Sequence, residues 1–478
     1  MTTRLFSLIV AASLAAAASA MAQTAVEPYV VHTPGNNAAL VERTDGAFTV
    51  TWWLDRDAPV WLLRESALKR EGRTPWRDGV WSVTTPGVLI ERVGFYDVLR
   101  STDGGPIPRE VQVAITPSSA DLEAAYDPSL VFTDGSVAFY SEQFDLIPMA
   151  DLQAARDLPV DLNGVETPVG PMQVTWRDDR GPVLLSGKRE ALPTTRNPNT
   201  YVLFGDPGLN ETPHLVTVTD PALPGWIGGE IERFAPLVID WFTARLGPAL
   251  EERPMIMASW SGPTSGVTSM GGSTLPGLVV MTFEGEGVLE PTGVVNDTSH
   301  WFIGHESAHF WLGQRVAYSR SRDAWITEGG ADLMAIRAMK SLDPVYDARA
   351  ELQKEVDDCI ALSTGRSVET AETRGEHRAY YACGAVFALA AEGATRAETG
   401  GDWLDFLKPL LDANDGDKIL TRAEWLAALA ARPGGPALVA DIETLLDIGA
   451  ADPRIVVERL LRQSGVSVRR EGGRVVLL

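Results

Sequence analysis

W-F-I-G-H-E-S-A-H-F-W-L-G-Q-R-V at residues 301–316, followed by D-A-W-I-T-E-G-G-A-D at residues 323–332, is the stretch on which the reading of this chain turns. At about 3.6 residues per helical turn, His305 and His309 project from one face roughly 5–6 Å apart, close enough for two imidazoles to reach one ion. Glu306 sits one step round the helix, where it faces a water on that ion as a general base. A zinc site needs a third protein ligand, and Glu328 offers it in the first turn of the next predicted helix, after eighteen intervening residues. Asp332, four residues further on the same face, is placed to accept the outer proton of a ligand imidazole. Two nitrogens and a carboxylate suit a single Zn2+, with cobalt or manganese as the alternative occupants. The chain has only 6 histidines, and two of them flank a glutamate at this spacing. A surface helix carrying the pattern by accident is the blander alternative.

The same residues resemble the zinc signature of the aminopeptidase N family of gluzincins. Trp311, Gly313 and Val316 stand where that family shows tryptophan, glycine and valine after the second histidine, and the third-ligand spacing agrees. The resemblance extends over about residues 214–400, beginning at P-A-L-P-G-W-I and W-F-T-A-R-L-G-P. It implies a thermolysin-like catalytic domain behind a β-rich domain, a peptide or protein substrate, and a tyrosine that stabilises the tetrahedral intermediate. The family's tyrosine stands in Y-x-x-G; here Y-A-C-G begins at Tyr381, with Tyr380 as the alternative donor.

In one segment the chain departs from that family. Where members carry G-A-M-E-N-W-G-L before an edge strand, this chain has G-G-S-T-L-P-G-L at residues 271–278. The resemblance makes Gly271, Gly272 and Thr274 substrate-binding positions, with Thr274 in place of the glutamate that holds a free α-amine. A threonine supplies no charge, and a desolvated ammonium group then needs another carboxylate. Two function classes follow: a metallopeptidase without strict aminopeptidase character, or a zinc-stabilised peptide-binding scaffold without turnover.

A chain of 478 residues can bury two or three cores. Residues 1–22 read as a signal peptide: Arg4, an apolar run over residues 5–18, then small residues before Gln23. Export to the periplasm or the cell exterior is the expectation. Arg4 is the only charge in that segment, so its removal takes the 41 basic side chains to 40 against 64 acidic ones, a net of −24. Such a balance argues against nucleic acid or anionic membrane as partners. No later stretch reaches about 18 uninterrupted apolar residues, so no membrane insertion is expected. Oligomeric state is not legible. Cys359 and Cys383 are the only cysteines, and in an oxidising compartment they are candidates for a disulfide; two buried thiols are the alternative.

The expected architecture is multi-domain, β then α/β. Residues 23–212 show short alternating runs broken by turn residues, as in an antiparallel β-sandwich. Phe48, Val50 and Trp52 alternate with Thr49, Thr51 and Trp53, and Asp134-Gly135 sits at a hairpin turn. The tryptophans read as core rather than as a carbohydrate platform. A Pro-, Asn- and Thr-rich stretch sets the boundary, with the catalytic domain over 213–400. Residues 229–246 have helical spacing, with Pro236 as a kink or a late start. Residues 401–478 are a short helical C-terminal extension ending in a hairpin at Gly472-Gly473. His377 and Arg378 read as surface residues, with contact to substrate as the alternative.

Overall fold

Alternation in the strand Ala47–Trp53 buries Phe48, Val50 and Trp52 and leaves Thr49 and Trp53 partly exposed. This is the pattern of a sheet with one face on a core. In the computed structural model the described residues are 36–478, apart from 124, 161, 163, 164, 197, 198 and 250–252. The expected signal peptide lies outside them.

Three sheets, of six, four and five strands, make up the N-terminal part. Ala47–Trp53 pairs antiparallel with Ala38–Thr44 on one side and with Glu110–Ile115 on the other. Ala38–Thr44, however, runs parallel to Gln173–Asp178, so the expected purely antiparallel two-sheet sandwich is corrected to a mixed, three-sheet arrangement. More than a hundred residues separate these two strands, and so long a connection leaves their relative direction unconstrained by any hairpin. A single aromatic cluster draws on all three sheets: Phe48 and Phe139 ring centroids are 5.1 Å apart, and those of Phe144 and Trp176 are 5.4 Å apart. Trp52, Trp61 and Trp176 are fully buried, as core residues are.

A fourth sheet follows. Its strands run Leu209–Glu211, Val216–Thr219, Met255–Trp260, Leu278–Glu284 and, at the edge, Ser269–Leu275. The central three are parallel and the edge strand is antiparallel to its neighbour. Leu209–Glu211 pairs with Val216–Thr219 across the compositional boundary at 212, so that turn-rich stretch is a turn inside one sheet. Both faces of this sheet are covered. Met255, Met257, Leu278 and Val280 pack on Leu130, Phe132, Tyr140 and Tyr201 of the N-terminal part. Ile256, Ala258, Val279, Met281 and Phe283 pack on helices.

The first of these helices, Gly225–Leu246, starts before the expected position 229 and runs through Pro236. Four more carry or support the candidate site: the histidine helix Gly293–Ala308, the glutamate helix Trp325–Leu342, the bridging helix Ala348–Ser363 and the tyrosine helix Arg378–Thr399. The glutamate and tyrosine helices cross backbone to backbone. A Cβ built on Gly329 would stand 2.2 Å from the Gly384 carbonyl carbon, and one on Gly384 would stand 2.2 Å from the Trp325 oxygen. Cys359 and Cys383 form a disulfide that ties the bridging helix to the tyrosine helix.

The C-terminal helices, from Trp403–Ala413 to Pro453–Gln463, share their core with the helices of the candidate site, and Trp403 Nε1 donates to the Gly330 carbonyl at 3.2 Å. The hairpin Val468–Glu471 with Arg474–Leu477 closes the chain. No helix among the described residues is long and apolar enough to cross a membrane.

Candidate metal centre and active site

Local sequence explains why the helices end where they do. The assigned histidine helix closes at Ala308, and His309 occupies the tight turn after it, its N–H bonded to the Glu306 carbonyl at 3.3 Å. Gly313, with φ of 130°, lets the chain turn back beneath His309. Glu328 lies in the first turn of the glutamate helix, where a carboxylate is favoured by the helix dipole.

These elements bring His305, His309 and Glu328 together, the one such group of potential metal donors found among the described residues. His305 Nδ1 lies 2.8 Å from Asp332 Oδ1, and His309 Nδ1 lies 2.8 Å from the Leu312 carbonyl oxygen. A carbonyl and a carboxylate only accept, so in the neutral rings both Nδ1 atoms donate and both Nε2 atoms present lone pairs inward. Those two nitrogens are 3.1 Å apart, and Glu328 Oε2 is 3.6 Å from one and 3.5 Å from the other. Three acceptors facing one point repel one another unless a cation sits between them. A tetrahedral ion with ligands at about 2.0–2.1 Å spaces its donors about 3.3–3.4 Å apart. The donor set therefore fits zinc in both chemistry and spacing.

The electrostatics agree with a cation site. Burial disfavours a charge on His305, but Asp332, Glu328 and Glu306 outweigh it and raise its pKa well above the ordinary value. His309 is raised in the same way, burial being overcome chiefly by Glu328. Burial works against ionisation of Glu328 too, yet the two imidazoles hold its carboxyl far below the usual range. In Glu306, burial dominates and moves the carboxyl upward, against the pull of both histidines.

Glu306 leans on the edge strand: a Cβ on Gly272 would stand 2.4 Å from its Oε1. Gly271, Gly272 and Thr274 all lie on that strand. Gly272 thus borders the helix-borne carboxylate, while the Thr274 carbonyl accepts from Tyr126 at 3.0 Å. Tyr381 stacks on the His305 imidazole, centroids 5.6 Å apart and planes 19° from parallel. Burial and the adjacent Glu328 carboxylate push its hydroxyl pKa far up, so it remains a donor. Tyr380 is turned elsewhere, its hydroxyl donating to the Glu369 carbonyl at 3.3 Å.

Arg378 is partly exposed, as a surface residue is, yet its guanidinium is engaged. It reaches Asp332 at 3.5 Å, behind His305, and also Glu355 and Asp358. Its position three residues before Tyr381, on the same helix face, was the available signal. His300 is held by Glu230 at 2.7 Å, away from the donor set.

No protein-family model matches the chain, and no curated protein matches it significantly in sequence. Solved structures do match in fold. An aminopeptidase N family protein from Idiomarina loihiensis superposes with a TM-score of 0.62 at 13% identity, covering 91% of this chain and 79% of that one. Native leukotriene A4 hydrolase from Saccharomyces cerevisiae gives a TM-score of 0.50 at 14% identity, over 88% of this chain and 68% of that one. The fold, mixed sheets with helices, is similar to that of these proteins.

Proposed function

We propose that the chain is a zinc-dependent metallopeptidase that hydrolyses peptide bonds. The observation that carries this reading is the convergence of His305 Nε2, His309 Nε2 and Glu328 Oε2 on one point, with the Glu306 carboxylate and the Tyr381 hydroxyl beside it. When bound there, a zinc ion supplies Lewis acidity, polarising a carbonyl and acidifying water.

The chain's own residues do the rest. Asp332 and the Leu312 carbonyl fix the ring orientations of His305 and His309. Glu306 removes the proton of the attacking water and returns it to the departing amine, a task suited to a carboxylate whose pKa burial has raised. Tyr381 donates a hydrogen bond to the oxygen that becomes negative during attack, and loss of such a donor typically costs about 3–4 kcal/mol. The edge strand Ser269–Leu275 offers main-chain groups to an extended substrate, and Gly272 leaves the Glu306 carboxylate its space. Export is part of the proposal, supported by the apolar N-terminal run and by a disulfide.

One observation favours a second reading, a zinc-stabilised scaffold that binds peptides without cleaving them: Thr274 stands where a charge for the substrate amine is expected. Incubation of the zinc-loaded protein with a mixed peptide library, with and without chelator, separates the two. Chelator-sensitive products are expected. Their absence favours the scaffold.

A further inference from the structure

Beside Tyr381 lies a cavity of about 530 Å3, within the roughly 300–1,000 Å3 range of pockets that hold small ligands. Trp301 and Tyr381 line it together with Glu351, Lys354, Glu355 and Arg378. Both aromatic rings also pack on His305, at 5.3 and 5.6 Å, so the cavity adjoins the metal-ligating group.

Its lining holds two carboxylates and two cations, but one of those cations is shared with acids outside the cavity. Arg378 is shared by three carboxylates, Glu355 at 2.7 Å, Asp358 at 3.1 Å and Asp332 at 3.5 Å, the last of which also accepts from His305. Lys354 is paired with Glu351 at 2.7 Å. Every cation of the lining is engaged, whereas Glu355, only 6% exposed, keeps Oε2 without a hydrogen-bond partner. A buried carboxylate oxygen left unfilled is costly unless a donor arrives. Burial, and then the nearby Asp332, push the Glu355 pKa up to about 7, the condition of a carboxylate short of positive charge.

We infer that this cavity is a subsite for a basic side chain of the substrate: the ammonium of a lysine or the guanidinium of an arginine is held by the Glu351 and Glu355 carboxylates of the lining, and its aliphatic stem lies along Trp301. The inference rests on the peptidase reading and names a substrate class for it. Arg378 uses the other oxygen of Glu355, so the incoming cation does not have to displace it. An acidic side chain would find both cations already paired and Glu351, Glu355 and Asp358 opposing it.

The test uses matched peptides that differ only in lysine, norleucine or glutamate at each position around the cleavage site, in free-amine and N-acetylated series. Binding is measured by calorimetry on the zinc-loaded Glu306→Gln protein, so it does not depend on turnover; cleavage is measured in parallel on the parent. The lysine peptide is expected to bind about tenfold tighter than the norleucine peptide at one position, in both series. Glu355→Gln, which keeps an acceptor for Arg378, is expected to reduce that ratio about fivefold, and Glu351→Gln about twofold. Equal affinity for lysine and norleucine, a preference for glutamate, a lysine advantage confined to free-amine peptides, or a ratio unmoved by both variants overturns the subsite. If Glu355→Gln does not fold, Glu351→Gln and the parent comparison decide. Lysine-selective binding without chelator-sensitive cleavage would leave the subsite standing and remove the peptidase reading.

Discussion

The two walls that meet at Glu306 are built on opposite plans. On the helical wall the two histidines of the donor set are buried and each has a fixed neighbour: His305 has Asp332, and His309 has the Leu312 carbonyl. On the strand wall, side chains are small or absent, and Gly271, Gly272, Ser273 and Thr274 present mainly backbone. The contrast teaches a division of labour. In the proposed peptidase, groups that must keep a set geometry are locked by packing, and the wall that would admit a substrate chain is kept thin.

The largest expected effect lies on the helical wall. Glu306→Gln should lower kcat/KM by about 10²–10⁴ while retaining zinc, with metal content and peptide turnover measured on the same preparation. A variant that cleaves at the parent rate would remove Glu306 as the base. Next, Asp332→Asn should weaken zinc binding by about 10–100-fold in a chelator competition, because His305 exchanges a charged carboxylate acceptor for a neutral amide oxygen. The pH dependence follows from the same histidines. Their pKa values are raised in the metal-free protein, so protons compete with the ion. As pH falls through those values, the Nε2 lone pairs are taken up; zinc affinity should therefore rise from acid toward alkaline pH, and a pH-independent affinity would contradict the assigned ligands.

The strand wall gives smaller effects of a different kind. In Gly272→Ala the new methyl meets the tip of a flexible glutamate rather than backbone, so the carboxylate yields and the strand does not. Turnover should fall by about tenfold to a hundredfold at nearly unchanged melting temperature. A parallel loss of stability would mean that the strand, not the carboxylate, had moved. Smallest is Thr274→Glu: restoring a charge there should shift the cleavage ratio toward free-amine over N-acetylated peptides by about threefold to tenfold. No shift would place amine recognition elsewhere in the cleft.

What was legible in the sequence was local. The i, i+4 histidines and a carboxylate in the first turn of a helix are consequences of the 3.6-residue period, and the structure brings those side chains within 3.6 Å of one another. Alternation identified Ala47–Trp53 by a period of the same local kind, and the turn residues Asp134-Gly135 identified the hairpin there. The remainder depended on partners distant in sequence. The parallel pairing of Ala38–Thr44 with Gln173–Asp178 has no turn to announce it. The ion pairs of Arg378 were not legible because its three carboxylates come from two other helices. The composition at 207–221 marked a turn, and turn chemistry looks alike inside a sheet and between domains.

The glycine crossing of the glutamate and tyrosine helices carries a mechanical consequence. With no side chains between the two backbones at Gly329 and Gly384, Glu328 and Tyr381 ride on one stiff body, and the disulfide at Cys383 ties the bridging helix to it. Any breathing that lets a peptide in or a product out must then come from the thin strand and the sheets behind it. Hydrogen exchange should accordingly be fast along Ser269–Leu275 and slow along both helices.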